Sequence, residues 1–73
     1  MNWYDVDDIL LDGTKKRIQD LRCPDCSGRI KFSYSKYGGG RLVVICTGCH
    51  ILEVMHKVPE PNCVKLFGKS ATI

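Results

Sequence analysis

Cysteines are the residues of this 73-residue chain best suited to chemistry, and four of the five fall into two pairs. Cys23 and Cys26 form the first pair, and Cys46 and Cys49 form the second, with two residues inside each pair. A turn this short brings both thiolates of a pair to one side of the chain. Two such turns facing each other supply the four sulfurs that bind Zn²⁺ in a tetrahedron. The spacing therefore predicts one zinc ion held by these four cysteines.

Four thiolates fill every position of a tetrahedral zinc ion, so we expect this ion to be structural rather than catalytic. An iron–sulfur cluster or a single iron ion would also take four thiolates, and this alternative stays open. A thioredoxin-like redox pair is disfavoured, because neither pair opens a helical pattern and the chain is short. Cys63 has no partner, and we interpret it as a small apolar residue packed beside Val64.

The segment between the two pairs predicts a β-hairpin. Ile30, Phe32 and Tyr34 alternate with polar residues, which is typical of a half-buried strand. A run of glycines at 38–40 permits the positive φ angles of a hairpin loop, and a β-branched run then leads into Cys46. A third strand is expected at 50–58, ended by prolines.

The segments before and after the hairpin have weaker patterns. Helical spacing of apolar residues predicts a short N-terminal helix with Asp5 as its N-cap and Gly13 as its end. Residues 14–21 fit either a second helical turn or an extended lead-in to the first cysteine pair. In the tail, the apolar residues at 64–67 could add an edge strand or pack back on the hairpin.

The two cysteine turns and the hairpin between them resemble the zinc ribbon family over residues 21–58. The resemblance implies a small α+β fold, a three-stranded antiparallel zinc ribbon with a short N-terminal helix. One departure is visible, because ribbon turns often place glycine directly after the second cysteine, where this chain has Ser27 and His50. We expect a single domain at 1–73, comprising a helical segment at 1–20, the ribbon at 21–58 and a tail at 59–73 that packs on the ribbon.

Composition and charge restrict the cellular setting. The N-terminus lacks a basic, apolar leader, and no apolar run is long enough to span a membrane, so we expect a cytoplasmic protein without membrane contact. Clustered cysteines in a reducing compartment more often bind metal than each other.

Residues 1–22 carry five acidic and four basic side chains, whereas residues 23–73 carry three acidic and seven basic. The half that contains the cysteines is therefore the basic half.

Basic residues of the hairpin are the candidate partner contacts, namely Arg29, Lys31, Lys36 and Arg41. Together with nearby aromatic rings they would suit nucleic acid, since cations neutralise phosphates and rings stack on bases. Strand alternation, however, turns Phe32 and Tyr34 away from Arg29 and Lys31, into the core. We therefore favour a small protein-interaction accessory module, and keep a transcription- or translation-associated nucleic-acid binder as the alternative.

Catalysis is not expected from the remaining residues. No nucleophile–base pair is recognisable, and His50 and His56 are interpreted as surface residues. The sequence Gly68-Lys69-Ser70 echoes the end of a phosphate-binding loop, but the position five residues before Gly68 is Cys63 instead of glycine. We predict a non-enzymatic protein with no small-molecule substrate.

Overall fold

The structure is a computed structural model that describes residues 1–73. The chain forms three short helices and four strands, together with a 3-10 turn at Tyr37–Gly39 between the first two strands. In chain order the elements are α1 (Trp3–Asp12), α2 (Lys15–Gln19), β1 (Ile30–Ser35), β2 (Arg41–Cys46), β3 (Leu52–His56), α3 (Asn62–Phe67) and β4 (Ser70–Thr72). None of the helices is long and apolar enough to cross a membrane.

The sheet is antiparallel and has four strands in the order β3-β2-β1-β4. The predicted three strands are all present, but the prediction of a three-stranded sheet is wrong. The additional strand, β4, pairs with β1 and so occupies the edge opposite β3. Its position was missed because Ser70–Thr72 is short and polar, and only its pairing with β1 makes it a strand.

The tail before β4 is helical. The apolar residues at 64–67 belong to α3 and do not form an edge strand. Pro61 stands at the N-cap of α3, where its fixed φ and missing N–H cost nothing. Gly68 ends the helix with a φ of 93°, a conformation that favours glycine, and the Tyr34 backbone N–H then donates to the Lys69 carbonyl at 2.7 Å. This turn directs the chain back along β1.

The N-terminal segment is helical as far as Gln19. The predicted α1 is present, but its N-cap is Asn2, not Asp5. The Asn2 side chain accepts from the Asp5 backbone N–H, and the Asp5 carboxylate accepts from the Asn2 N–H, which completes a capping box. Thr14 caps α2 in a similar way through the Arg17 N–H, so the helical alternative for this segment is the one observed.

All three helices cover one face of the sheet, which we call the inner face. Fourteen buried residues form one core, with Phe32 and Leu42 of the sheet and Leu10 and Ile18 of the helices fully enclosed. The opposite side of the sheet, which we call the outer face, carries no helix. By strand alternation and burial it consists of Lys31, Ser33, Ser35, Arg41, Val43, Ile45, Leu52, Val54, His56, Ser70 and Thr72.

Asp7 is an ionisable group held partly inside this fold. One of its carboxylate oxygens, Oδ1, is buried without a hydrogen-bond partner. Burial, together with the nearby charges of Glu53 and Asp8, raises the pKa of Asp7 from its ordinary value of 3.8 to about 6. Above about pH 6 the charged carboxylate therefore destabilises the fold, and this penalty diminishes as the pH falls from about 6 towards the ordinary value of 3.8.

We expect Asp7→Asn to increase the free energy of unfolding at pH 7.5 by on the order of 0.5–1 kcal/mol, because it removes a poorly hydrated charge. The gain should shrink at pH 5.5, where the wild-type carboxyl is largely protonated. Urea denaturation at saturating zinc measures both values. Glu60→Gln, in an exposed loop, is the control and should change stability little at either pH. A destabilising Asp7→Asn substitution at pH 7.5 would contradict this account.

Candidate metal centre

The two cysteine turns adopt the same backbone fold. In the first turn the Ser27 N–H donates to the Cys23 carbonyl at 2.8 Å, and the Cys23 N–H donates to the Gly28 carbonyl at 2.9 Å. The second turn has both bonds at the same spacing. The His50 N–H donates to the Cys46 carbonyl, and the Cys46 N–H donates to the Ile51 carbonyl, each at 3.0 Å. Because the bonds match position by position, each turn presents its two cysteine side chains in the same way.

The sheet brings these turns together at one end of the hairpin. Ile30 pairs with Cys46 across β1 and β2, and the Thr47 N–H donates to the Arg29 carbonyl at 2.9 Å. This pairing fixes the second turn beside the first, which precedes β1. The four cysteines that the sequence pairs thus lie in one cluster, although they come from segments twenty residues apart.

The sulfur positions fit a single tetrahedral ion. The four Sγ atoms all lie within 4.8 Å of one another, with 3.7 Å between Cys23 and Cys49 and 3.4 Å between Cys26 and Cys46. A tetrahedral zinc ion with Zn–S bonds of about 2.3 Å places its sulfurs about 3.8 Å apart. A disulfide needs about 2.05 Å, and all five cysteines are free. The cluster is therefore a possible four-cysteine metal-binding site.

Backbone N–H groups point at the sulfurs, as expected for sites that carry thiolates. Asp25 donates to Cys23 Sγ at 3.4 Å and Gly48 donates to Cys46 Sγ at 3.3 Å, the same position in each turn. The Cys49 N–H also donates to Cys46 Sγ at 3.4 Å, and this bond is the main cause that lowers the pKa of the Cys46 thiol to about 6, whereas the side-chain bond to Cys46 raises the pKa of the Cys26 thiol. Such donors stabilise negative charge on sulfur, the form that binds a metal ion.

Two glycines leave the space in which the sulfurs meet. A Cβ on Gly28 would lie 3.0 Å from Cys46 Sγ and 3.1 Å from Cys26 Sγ, and a Cβ on Gly48 would lie 3.1 Å from Cys26 Sγ. Neither glycine has a positive φ, so their role is close packing against sulfur and not an unusual backbone conformation. A Cβ at either position would require the neighbouring sulfurs to shift by a few tenths of an ångström.

The N-terminal helix is tied directly to the first cysteine turn. The indole N–H of Trp3, at the start of α1, donates to Asp25 Oδ2 at 3.0 Å, and Asp25 lies between Cys23 and Cys26. No pattern in the sequence predicts this contact, because Trp3 and Asp25 are twenty-two residues apart. The bond makes the position of α1 depend on the conformation of the cysteine turn.

Ser27 and His50, the departures from the ribbon pattern, occupy the positions that favour glycine. Their φ angles are 61° and 64°, in the left-handed region. A side chain in this region costs roughly 1–2 kcal/mol relative to glycine. The turns therefore have the backbone conformation that glycine would adopt at this position, and the chain holds it with two other residue types.

We expect Ser27→Gly and His50→Gly each to stabilise the zinc-loaded chain by about 0.5–1 kcal/mol, since relief of backbone strain exceeds the added entropy of the unfolded chain. Thermal or urea unfolding at saturating zinc measures the change. Ser33→Gly is the matched control, because Ser33 is an exposed strand residue without a positive φ, where glycine should destabilise. Equal losses of stability in all three variants would contradict the role assigned to these positions.

The basic residues predicted as partner contacts do not form one cluster. Lys31 and Arg41 share the outer face but lie at opposite ends of it. Lys36 is exposed beside the hairpin loop. Arg29 is exposed, and its Nε donates to the Ile73 carbonyl at 2.9 Å, which ties this side chain to the C-terminal residue of the chain.

Cys63 lies apart from the cluster, in the helical layer. It is fully buried among core residues, and burial raises the pKa of its thiol to about 11. A thiol with this pKa is protonated at neutral pH and packs as a small apolar side chain.

No protein-family model, curated protein or solved structure matches this chain.

Proposed function

We propose that this chain is a zinc ribbon protein in which one structural zinc ion, bound by Cys23, Cys26, Cys46 and Cys49, holds a surface that binds another protein. The observation that carries the zinc assignment is the close approach of four sulfurs from two matching turns. Thiolates occupy all four tetrahedral positions, so the ion has none left for water or substrate. The proposed role is therefore binding, without catalysis.

Zinc is preferred to iron for this site on two grounds. The sulfur separations of 3.4 and 3.7 Å fit four ligands of one ion, whereas an iron–sulfur cluster divides its cysteines between two or four irons and spreads the sulfurs more widely. Between single ions, zinc is the usual occupant of closed four-thiolate sites with structural roles. A colourless protein with stoichiometric zinc supports this choice, and an absorbance band in the visible range would indicate iron.

A protein partner is preferred because the outer face offers little to nucleic acid. Single-stranded nucleic acid is bound by cations together with aromatic rings that stack on bases. The hairpin has the cations, but Phe32 and Tyr34 are only 0% and 8% exposed and belong to the core. Tyr37, at 90% exposure, is the one ring of the hairpin that a base could reach.

A pull-down from native lysate, with and without nuclease treatment, tests the protein-binding proposal. We expect a specific protein to be retained by the zinc-loaded chain after nuclease treatment. Loss of every partner on nuclease treatment would favour the alternative, a nucleic-acid-binding ribbon. In that case affinity for an oligonucleotide should fall steeply with salt, and Lys31→Ala or Arg41→Ala should reduce the slope.

A further inference from the structure

The outer face carries an apolar patch that no part of this chain covers. The aliphatic patch consists of Val43 and Ile45 of β2 with Leu52 and Val54 of β3. The residues lie directly opposite one another in the antiparallel pairing, Val43 with Val54 and Ile45 with Leu52. Side chains opposite one another on the same face of a sheet touch, so the four form a continuous surface two strands wide.

The aliphatic side chains of this patch are exposed to water, which is unfavourable. A strand face turned to solvent ordinarily carries polar residues instead. Leu52 is 56% exposed and Val54 39% exposed, while Val43 and Ile45 are half-buried by their neighbours. The rest of the outer face follows the ordinary pattern, since β1 and β4 present Lys, Ser and Thr. A compact apolar area with a polar surround is typical of a protein-binding surface.

All charged side chains on the strands of the outer face are basic. Lys31 pairs with Ile45 at one end of the patch, and Arg41 pairs with His56 at the other. None of the eight acidic residues of the chain lies on the outer face. Five of them are in the helical layer, at Asp5, Asp7, Asp8, Asp12 and Asp20, and Glu53 of β3 points to the inner face beside Asp7. The complementary surface would be aliphatic in its centre and acidic at its margins.

We propose that the outer face binds an amphipathic helix of a partner protein, with aliphatic residues along one side flanked by Asp and Glu. The patch lies on the face of the sheet and spans two strands, which suits a helix laid along them, as the chain's own helices lie on the inner face. Lys31 and Arg41, at the two ends of the patch, pair with the flanking carboxylates of the helix. This inference rests on the proposed protein-binding function and names its surface and partner chemistry.

Two other occupants fit less well. A second copy bound face to face through a two-fold axis would place the same surface on both sides, so Lys31 and Arg41 would meet only basic groups. A nucleic-acid strand would find cations at the two ends but four aliphatic side chains between them, where neither phosphates nor base edges gain a partner. The acidic helix alone matches both the centre and the ends of the face.

The test is an NMR titration of the zinc-loaded, isotope-labelled full chain with a helix-forming peptide that carries a leucine stripe flanked by glutamates. We expect amide shifts concentrated in 41–45 and 52–56. Val54→Asp should weaken binding roughly tenfold or more, as for a central contact residue. Leu66→Asp is the matched control, since Leu66 is 42% exposed on α3, in the other layer, and should leave affinity unchanged. The combined variant Lys31→Glu/Arg41→Glu should weaken binding to a similar extent while keeping the aliphatic patch.

Four other outcomes of these experiments would each contradict the proposal, and each can be told apart from the others. Shifts confined to the helical layer, or no shifts, would exclude the outer face as a site for this class of helix. Equal binding of a peptide with lysines in place of the glutamates would remove the charge argument. Binding of an oligo-dT strand to residues 41–56 would assign the face to nucleic acid, and concentration-dependent shifts without peptide would assign it to a second copy. The proposed function fails separately, if nuclease treatment removes every partner from the pull-down.

Discussion

Stripping the metal with a chelator should remove most of the helix and sheet signal in circular dichroism, and one equivalent of zinc should restore it. Binding of a structural zinc ion contributes an apparent folding free energy of about 10–16 kcal/mol, comparable to or larger than the whole stability of a typical domain. Only 19 of 73 residues are buried, so the core has little stability to spare. The metal-free chain is therefore expected to be largely unfolded.

Trp3 provides a second readout of the same event. Its indole N–H is bonded to Asp25 inside the first cysteine turn, so loss of metal should release the ring and shift its fluorescence towards that of a solvent-exposed tryptophan. Cys46→Ser should reproduce the unfolding without chelator. Cys63→Ala, which changes the cysteine outside the cluster, should keep zinc-dependent folding. A chain that retains its full circular dichroism signal after verified metal removal would contradict the structural role of the ion.

Among the substitutions of glycine by alanine, Gly40→Ala should be the most damaging. A Cβ on Gly40 would lie 1.8 Å from the Val58 carbonyl oxygen and 2.7 Å from Tyr34 Oη, and the φ of Gly40 is 104°. The Tyr34 hydroxyl donates to that same Val58 carbonyl at 2.8 Å, and the Val58 N–H donates to the Gly40 carbonyl at 3.0 Å. The added methyl group would force the hairpin loop away from the segment after β3. We expect the free energy of unfolding to fall by at least about 3 kcal/mol.

Gly38→Ala is the matched control for this substitution. Gly38 lies in the same loop and has a φ of 63°, but a Cβ there would have no atom within 4 Å. The expected loss is the cost of the left-handed conformation alone, about 1–2 kcal/mol. Urea denaturation at saturating zinc compares the two variants. Similar losses for both would show that contact with Val58 is not what restricts position 40.

Local patterns in the sequence predicted most of the helices and strands, but they predicted less well how these elements pack and pair with one another. Alternation in 30–35, the glycine run and the paired cysteines each depend on neighbouring residues, and the structure has the hairpin and the cysteine cluster that they predict. The α+β class follows from the same patterns. By contrast, β4 is a strand only because Gly68 directs the short segment Ser70–Thr72 along β1, which no local periodicity encodes.

The surface was the least predictable part of the molecule. Spacing along the chain grouped Arg29, Lys31, Lys36 and Arg41, but register separates Lys31 from Arg41 by the length of the sheet. The aliphatic patch was hidden for a similar reason, since Leu52 and Val54 look like core residues until the helices are known to cover the other face. The Asn2 cap was missed because Asp5 is an equally good capping residue in sequence, and only the reciprocal bonds distinguish them.

Native mass spectrometry of the chain purified without added metal most directly tests whether four cysteines bind one zinc ion. We predict a single species with one zinc bound, which is lost in Cys23→Ser, Cys26→Ser, Cys46→Ser and Cys49→Ser variants and kept in Cys63→Ala. A chain without metal whose cysteines are joined as disulfides, or one whose zinc survives replacement of both Cys26 and Cys46, would contradict the assignment.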